Sequence, residues 1–392
     1  MRRWHLLTGE YAPDPGGIAR FTTTLAGLLA AAGQDVHVWT PTGSDTRAGV
    51  VLHRLQRGFD SAGRRELARA IGPDDIVLLQ YTPNALGARG ANLVFCLWLA
   101  RLGRRREVRV VFHEPFMYFA KQSMARNGLA LIHRGMAAVL LAASRTVYLS
   151  SESWRRLLQP YAFGRAIDWQ TLPISIGDLP RPSLREVTAM RARLGEKPGR
   201  PIVGHFGTYA GELAPFLAAA IDALLQEIGQ VQVVCIGRGS RDFVASRFPY
   251  EPRVQGTGEI PEAEIAPHLS ACDLLIAPFG EGVTTRRTSL IAALALGRPV
   301  VATDGRHTEP QWRQDGAVVV VPAGHALAMA QACKRLLADT AARERLGARA
   351  ASIAAQRFSP GALLAVLGLN AVSPMRTPGE PSATTGVEAV RE

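Results

Sequence analysis

Residues 273–304 have the sequence DLLIAPFGEGVTTRRTSLIAALALGRPVVATD. Its apolar run Leu274 to Ala277 predicts a buried strand, and Leu290 to Leu296 predicts the helix that follows a glycine-rich loop. A second strand is expected at Pro299 to Ala302, after Gly297. Strand, loop, helix and strand in this order predict a parallel βαβ unit, so the chain is expected to be an α/β protein.

The same alternation of short β-branched runs and longer Ala/Leu-rich stretches covers most of the chain. Strands are predicted in the first half at Trp4 to Leu7, Asp35 to Thr40, Ile76 to Leu79, Val108 to His113 and Thr146 to Leu149. The second half adds Pro201 to Phe206, Gln232 to Ile236 and Ala317 to Val321 to the two strands above. Two such series predict two Rossmann-like, doubly wound parallel-sheet domains facing a cleft.

Proline and glycine clusters indicate where the domains end. We predict an N-terminal domain at 1–173, a linker at 174–198 with one short helix, a C-terminal domain at 199–358 and a terminal helix at 359–370. Residues 371–392 are rich in Pro, Ser, Thr and Gly and have few apolar side chains, so a disordered tail is predicted there.

Composition excludes several classes of protein. Of the 392 residues 47% are hydrophobic and 20% charged, with no run of 18 apolar residues, so a membrane-spanning helix is not expected. No secretory signal fits the amino terminus. The widely spaced Cys96, Cys235, Cys272 and Cys333 are expected to be buried thiols in a reducing compartment, without metal or disulfide. A cytoplasmic protein is therefore predicted.

The net charge of +12 is concentrated in the first half. Residues 1–180 hold 22 Lys and Arg against 13 Asp and Glu, whereas residues 181–392 hold 23 against 20. The densest run, Arg101 to Arg109, has no interleaved aromatic residue for base stacking, so nucleic acid is the weakest interpretation. A solvated surface is favoured, and an anionic membrane or polyanionic acceptor stays open.

Glycine-bearing loops follow three predicted strands, where an open parallel sheet binds ligands. Gly16 and Gly17 follow the first strand, and their backbone N–H groups can approach an anion closely. The corresponding residues of the second half, which could contact a diphosphate, are Gly207, Thr208, Tyr209, Gly237 and Arg238. Each loop alone could be an ordinary turn, but the two in the second half together favour a nucleotide.

Residues 278–289, a glycine-rich loop that leads into a helix, carry the strongest signal for a bound anion. Arg286 and Arg287 can clamp phosphate oxygens, and Thr288 or Ser289 can cap the next helix or bind an oxygen. Arginines at a helix amino terminus oppose the helix dipole, and a bound anion would relieve that. The alternative is a basic, capped helix start on the surface.

A His-Glu pair, His113 and Glu114, ends a buried strand of the first half. This position could face a substrate across the cleft, although a single histidine is often only a hydrogen-bonded core residue. No His/Cys/Asp cluster has metal-ligand spacing, and Gly-x-Ser-x-Gly is absent, so metallohydrolases and serine hydrolases are disfavoured.

Together, these features over about residues 3–358 resemble the retaining glycosyltransferases of the GT-B fold, family 4. The resemblance rests on the Gly-Gly-Ile loop, the strand-end His113 and the run Asp273 to Asp304. The resemblance implies a nucleotide-sugar donor, no metal ion or other cofactor, retention at the anomeric carbon and a last helix returning to the first domain. His113 would orient the donor sugar or the acceptor, which would be a glycan or a lipid-linked molecule, with a possible peripheral contact at the inner face of the cell membrane.

The sequence departs from that family at the donor site. Alignment on Gly297 places Thr284 and Ala292 where the family has two glutamates, leaving Glu281 as the nearby carboxylate. Thr285 adds a further hydroxyl to the same loop. The usual Arg and Lys after the first strand of the second domain are also missing, and our hypothesis is that Arg286 and Arg287 supply the lost charge.

Three other functions remain open on the sequence. The first is a nucleotide-sugar epimerase or hydrolase of the same architecture, and the second is a catalytically degenerate nucleotide-sugar-binding protein. The third, a nucleic-acid binder, requires a steep dependence of affinity on salt.

Overall fold

The computed structural model describes residues 2–14, 16–174, 179–195, 197, 200–209, 211 and 213–369. Its first half contains a seven-stranded sheet, whose order β3-β2-β1-β4-β5-β6-β7 is parallel throughout. The strands are β1 (Arg3–Leu7), β2 (Asp35–Thr40), β3 (Val50–Arg54), β4 (Ile76–Tyr81), β5 (Glu107–Phe112), β6 (Thr146–Leu149) and β7 (Asp168–Thr171). The helices are α1 (Gly17–Ala31), α2 (Ser61–Ala70), α3 (Leu93–Leu102), α4 (Met124–Ala143) and α5 (Ser153–Leu158).

The second half contains a six-stranded parallel sheet of order β10-β9-β8-β11-β12-β13. Its strands are β8 (Ile202–Phe206), β9 (Gln232–Ile236), β10 (Val254–Gly256), β11 (Leu274–Ala277), β12 (Val300–Asp304) and β13 (Val319–Pro322). The helices are α6 (Leu184–Arg193), α7 (Leu213–Glu227), α8 (Ser240–Arg247), α9 (Glu262–Ala271), α10 (Thr288–Ala295), α11 (Pro310–Gln314), α12 (Ala326–Ala338), α13 (Thr340–Arg357) and α14 (Pro360–Val366).

Helices on both faces explain why the central strands are continuous apolar runs. Each of the six residues of β4 is buried, as are all five of β9 and all four of β11. The sequence predicted these strands because burial on both faces selects apolar side chains. It missed β3, β7 and β10, which are three of the four edge strands; β3 and β7 are partly exposed and carry polar or charged residues.

The segment that connects the two sheets packs into the core of the second sheet, and the last helix packs into the core of the first. The connecting helix α6 begins with a capping box between Ser183 and Glu186, and Met190 packs in the core of the second sheet. The last helix, α14, places Leu363 and Leu364 in the core beside α1 and β1. The tail predicted at 371–392 lies outside the described residues.

The four cysteines are buried and free, as the sequence predicted, and burial raises the pKa of each thiol to about 12. Within the described residues no helix is both long and apolar enough to cross a membrane.

The strand orders determine where a ligand can bind. In each sheet the chain reverses its winding beside the first strand, between β1 and β4 and between β8 and β11. Such switch points open a crevice at the carboxyl ends of the strands. The loops that follow β1, β5, β8, β9 and β11 therefore border the region between the two sheets.

Candidate functional site

A cavity of about 510 Å³ lies between the two halves of the chain. We call it the first cavity. The predicted residues that line it are Gly16, Gly17, Gly207, Thr208, Gly237, Arg238, Arg286, Arg287, Thr288 and Ser289. These residues are far apart in the sequence, and strand ends of both sheets bring them together.

Two glycines of the first cavity differ in whether the packing of the protein requires them. Gly237 has φ +118°, and a Cβ there would lie 2.6 Å from the carbonyl oxygen of Gly207, so the two loops of the second half pack backbone to backbone. By contrast, a Cβ at Gly17 would meet nothing within 4 Å. The protein's own packing therefore does not require glycine at position 17, which leaves room for a ligand to approach the backbone of α1.

Arg287 is a cation without a counter-ion among the described residues. It is the N-cap residue of α10, no side chain caps that helix, and its guanidinium lies 4.4 Å from the centre of the Phe279 ring. Its Nε is buried without a hydrogen-bond partner. Burial, and then the charge of Arg286, lower the pKa of Arg287 to about 10. A buried unpaired charge is costly, and an anion would relieve that cost.

Arg286 is a cation shared between the two halves. Its guanidinium lies 3.2 Å from the Glu281 carboxylate and 3.8 Å from the Glu114 carboxylate of the first half. It also lies 5.3 Å from the centre of the Trp154 ring. The loop before α10 is thus held against the first half by charge.

A second cavity, of about 350 Å³, shares Gly17, Arg286, Arg287 and Thr288 with the first. His113 and Glu114 line it, as does Glu10. His113 follows β5, and its Nε2 donates to Oε1 of Gln80 at 2.7 Å. Burial lowers the pKa of His113 to about 4, so the ring is neutral at pH 7.

Four predicted residues lie away from both cavities. Tyr209 is buried, and its hydroxyl donates to the carbonyls of His205 and Ile236, so it braces the loop from behind. Thr284 and Thr285 are buried in the loop before α10. Glu281 pairs with Arg306 at 2.5 Å and with Arg286 at 3.2 Å, and it does not line either cavity. The role of Glu281 as a donor-binding residue stays a prediction.

Sequence reasoning missed other residues that line these cavities. Arg20 lies one turn into α1, and Glu259 and Glu262 border the first cavity. His205, on β8, donates from Nδ1 to the Ile276 carbonyl at 3.0 Å, while its buried Nε2 has no partner. Its position at the end of a strand was the available signal. Glu10, which lines the second cavity, has no sequence pattern around it that indicates a site.

Glu309 forms hydrogen bonds to both halves of the chain, and the sequence did not reveal them. Although 1% exposed, its carboxylate accepts from the Ser151 hydroxyl at 2.6 Å and the Glu152 amide at 3.0 Å, both in the first half. From the second half it accepts the amide and hydroxyl of Thr285 and the indole of Trp312. One buried carboxylate thus fixes the loop before α10 relative to β6. A Glu before a short helix gives no sequence signal of a contact 158 residues away.

No group of three or more His, Cys, Asp or Glu side chains in the described part of the chain is arranged to hold a metal ion.

Comparison with known proteins defines the fold class of this two-sheet arrangement. The synthase "Sucrose-phosphate synthase" from Thermosynechococcus elongatus superposes with a TM-score of 0.69 at 18% identity, covering 94% of this chain and 98% of that one. Anabaena Alr3699/HepE in complex with UDP-glucose gives 0.66 at 18% identity, over 94% and 99%. The chain therefore has the GT-B glycosyltransferase fold, as predicted.

Sequence comparisons point to the same class of protein. Residues 200–339 match the family model described as "Glycosyl transferases group 1". A relative from Nocardia farcinica (strain IFM 10152), "D-inositol 3-phosphate glycosyltransferase", is 26% identical over 376 residues, covering 87% of this chain and 81% of the relative. These similarities support glycosyl transfer as the reaction.

Proposed function

We propose that this protein is a retaining hexosyltransferase that moves a sugar from a nucleotide-sugar donor to an acceptor hydroxyl without a metal ion. The observation that carries the proposal is the uncompensated Arg287 in a glycine-lined cavity at a helix amino terminus. Such a site suits a diphosphate, which needs fixed positive charge and backbone N–H donors. The structures of Alr3699/HepE, which has the same fold, contain UDP or UDP-glucose, and this supports a nucleotide sugar as the donor.

In the proposed mechanism the first cavity stabilises the leaving group. The bond between the anomeric carbon and the phosphate oxygen breaks, and negative charge grows on the diphosphate. Arg286, Arg287 and the N–H groups at the start of α10 bind that charge best in the transition state, which lowers the barrier. Deleting one such donor typically costs about 3 to 4 kcal/mol.

Retention is explained by attack from the face that the phosphate leaves. The acceptor oxygen forms its bond to the anomeric carbon on that face, and its proton passes to the departing phosphate oxygen. No protein nucleophile is then required. The neutral ring of His113 orients the sugar in the second cavity, and Glu114, beside Arg286, borders the same space.

The acceptor is proposed to be a glycan or lipid-linked molecule at an anionic membrane surface, as in cell-surface polysaccharide or glycolipid synthesis. Residues 88–106 and 115–151 hold nine Lys and Arg and no Asp or Glu. Of the thirteen large apolar side chains described as exposed, seven lie on this stretch: Val94, Leu97, Tyr118, Phe119, Met124, Leu131 and Ile132. Apolar and basic side chains together suit a peripheral contact with anionic lipid.

Vesicle sedimentation tests the membrane contact. Wild-type protein is expected to sediment with phosphatidylglycerol vesicles and not with phosphatidylcholine vesicles. The variant Met124→Ser/Leu131→Ser should bind at least several-fold more weakly, because both side chains are exposed on α4. The matched control is Leu327→Ser, an exposed leucine of the second half. Equal binding by all three proteins would remove the membrane contact from the proposal.

The donor is tested by thermal shift against UDP-, GDP-, ADP- and dTDP-sugars in EDTA. A ligand that binds only the folded state raises its stability, so one nucleotide should give a selective shift. Transfer with that donor, followed by NMR of the anomeric proton, should show retained configuration. Nucleotide release without an acceptor would favour a hydrolase or epimerase, and a shift without turnover would favour a binding protein.

A further inference from the structure

The second cavity is where the sugar of a bound donor would lie. It shares Arg286, Arg287 and Thr288 with the first cavity, so a group attached to a diphosphate held there extends into it. A sugar presents several hydroxyl groups, which donate well to carboxylates. The question is which carboxylate of this chain receives them.

The donor-binding loop of the second half offers no free carboxylate for this task. Thr284 and Ala292 occupy the two positions where the resemblance implied glutamates. Glu281 is engaged by Arg306 at 2.5 Å and by Arg286 at 3.2 Å, and it lines neither cavity. The carboxylates that line the second cavity, Glu10 and Glu114, both belong to the first half.

Glu10, in the loop after β1, has the required position and no competing partner. It lines the second cavity, and its Oε2 lies 3.0 Å from the point that a Cβ of Gly16 would occupy. Its carboxylate forms no hydrogen bond or ion pair with any residue that the structure describes, although it is partly buried. It therefore lies over the glycine loop with its acceptor oxygens free.

The surroundings of Glu10 disfavour the negative charge of its unpaired carboxylate. Burial, and then the negative charges of Asp14 and Glu114, raise the pKa of Glu10 above its ordinary value. Glu114 differs, because it is mostly exposed and lies beside Arg286. Hydroxyl donors at Glu10 would supply the hydrogen bonds that this carboxylate lacks.

We infer that Glu10 binds hydroxyl groups of the donor sugar, so that the carboxylate holding the sugar is on the N-terminal wall of the cleft. The inference rests on the proposed function. It assigns the two parts of the donor to opposite walls, with the diphosphate on the arginines of the second half and the sugar on Glu10 of the first. Glu10 thereby contributes to the choice of sugar, and the arginines do not.

The test compares a nucleoside diphosphate with the corresponding nucleotide glucose, using the nucleotide selected by the thermal-shift screen. In isothermal titration, Glu10→Gln should weaken binding of the nucleotide glucose by about tenfold and leave binding of the nucleoside diphosphate within twofold of wild type. Glu10→Asp should recover part of the loss. Glu66→Gln, an exposed carboxylate on α2, is the matched control.

The possible results separate the two proposals. Equal affinities of wild type and Glu10→Gln for the nucleotide glucose would overturn the role of Glu10. An equal loss for both ligands would also overturn it, because the effect would then not concern the sugar. If wild type binds no nucleotide at all, the proposed function itself fails. The thermal midpoint of each ligand-free variant shows whether it has folded.

Discussion

Each wall of the cleft presents a charged side chain that has no partner among the described residues, a cation on the second half and a carboxylate on the first half. The wall from the second half presents Arg287, which has no counter-ion among the described residues, at the amino terminus of α10. The wall from the first half presents Glu10, which has no partner there, and the neutral His113. An anion suits the wall from the second half, and hydroxyl groups suit the wall from the first half. A nucleotide sugar contains both in one molecule.

The largest effect is expected at the cationic wall. Arg287→Ala should weaken nucleotide-sugar binding by at least about 100-fold, because it removes a buried positive charge that contacts the diphosphate. Binding is measured by titration with the nucleotide from the screen. Arg345→Ala, an exposed arginine of α13, is the control and should match wild type. If Arg287→Ala binds as well as wild type, the diphosphate does not lie at this helix terminus.

The next effect concerns how the walls are held together. Glu309→Gln keeps the shape of the side chain but sets an amide N–H₂ among five donors. Leaving buried donors unsatisfied should lower the free energy of unfolding by about 1 to 3 kcal/mol. Urea denaturation checks this. Because Thr285 precedes Arg286, donor affinity should fall as well.

An unchanged midpoint for Glu309→Gln would mean that the contact between Glu309 and Ser151 does not hold the halves together in solution. Ser151→Ala gives a milder version of the same test, since it removes one donor and leaves the carboxylate. Its effect on stability should be smaller than that of Glu309→Gln.

The contrast between Glu309 and Glu10 also shows what the sequence could predict. His113 directly follows a buried strand, and the glycine loops and the loop with Arg286 and Arg287 each connect a buried strand to the next helix. The topology of a parallel sheet alone brings such loops together. Glu309 and Glu10 have no such pattern around them. Their roles depend on how the two halves dock, which is a relation between residues more than a hundred positions apart. The edge strands β3 and β7 were missed for a simpler reason, because exposed strands do not need apolar runs.

Two buried histidines, one on each side of the cleft, predict a dependence of stability on pH. Burial lowers the pKa of His113 and of His205 to about 4, against an ordinary value of 6.5. The unfolded chain therefore takes up these protons near pH 6.5 and the folded protein only near pH 4. Stability should fall as pH drops through this window, by about 1 kcal/mol per pH unit for each histidine.

Urea midpoints between pH 4.5 and 7 measure this effect. His205→Gln should reduce the slope, because it removes one of the histidines whose pKa is lowered by burial. A wild-type midpoint that stays constant from pH 6.5 to 4.5, or one that rises, would contradict the burial of neutral imidazoles on either wall.

The smallest effect is expected at Glu281, and it sharpens the contrast between the walls most. If sugar hydroxyls bind to the wall from the first half, Glu281→Gln removes only contacts with Arg286, Arg306 and His307. Affinity for the nucleotide glucose should then stay within about threefold of wild type, since a partly exposed ion pair contributes little. A loss of affinity of tenfold or more, confined to the nucleotide glucose, would place the sugar against the wall from the second half. The loop of residues 280–287 would then have to rearrange when the donor binds, because Glu281 lines neither cavity.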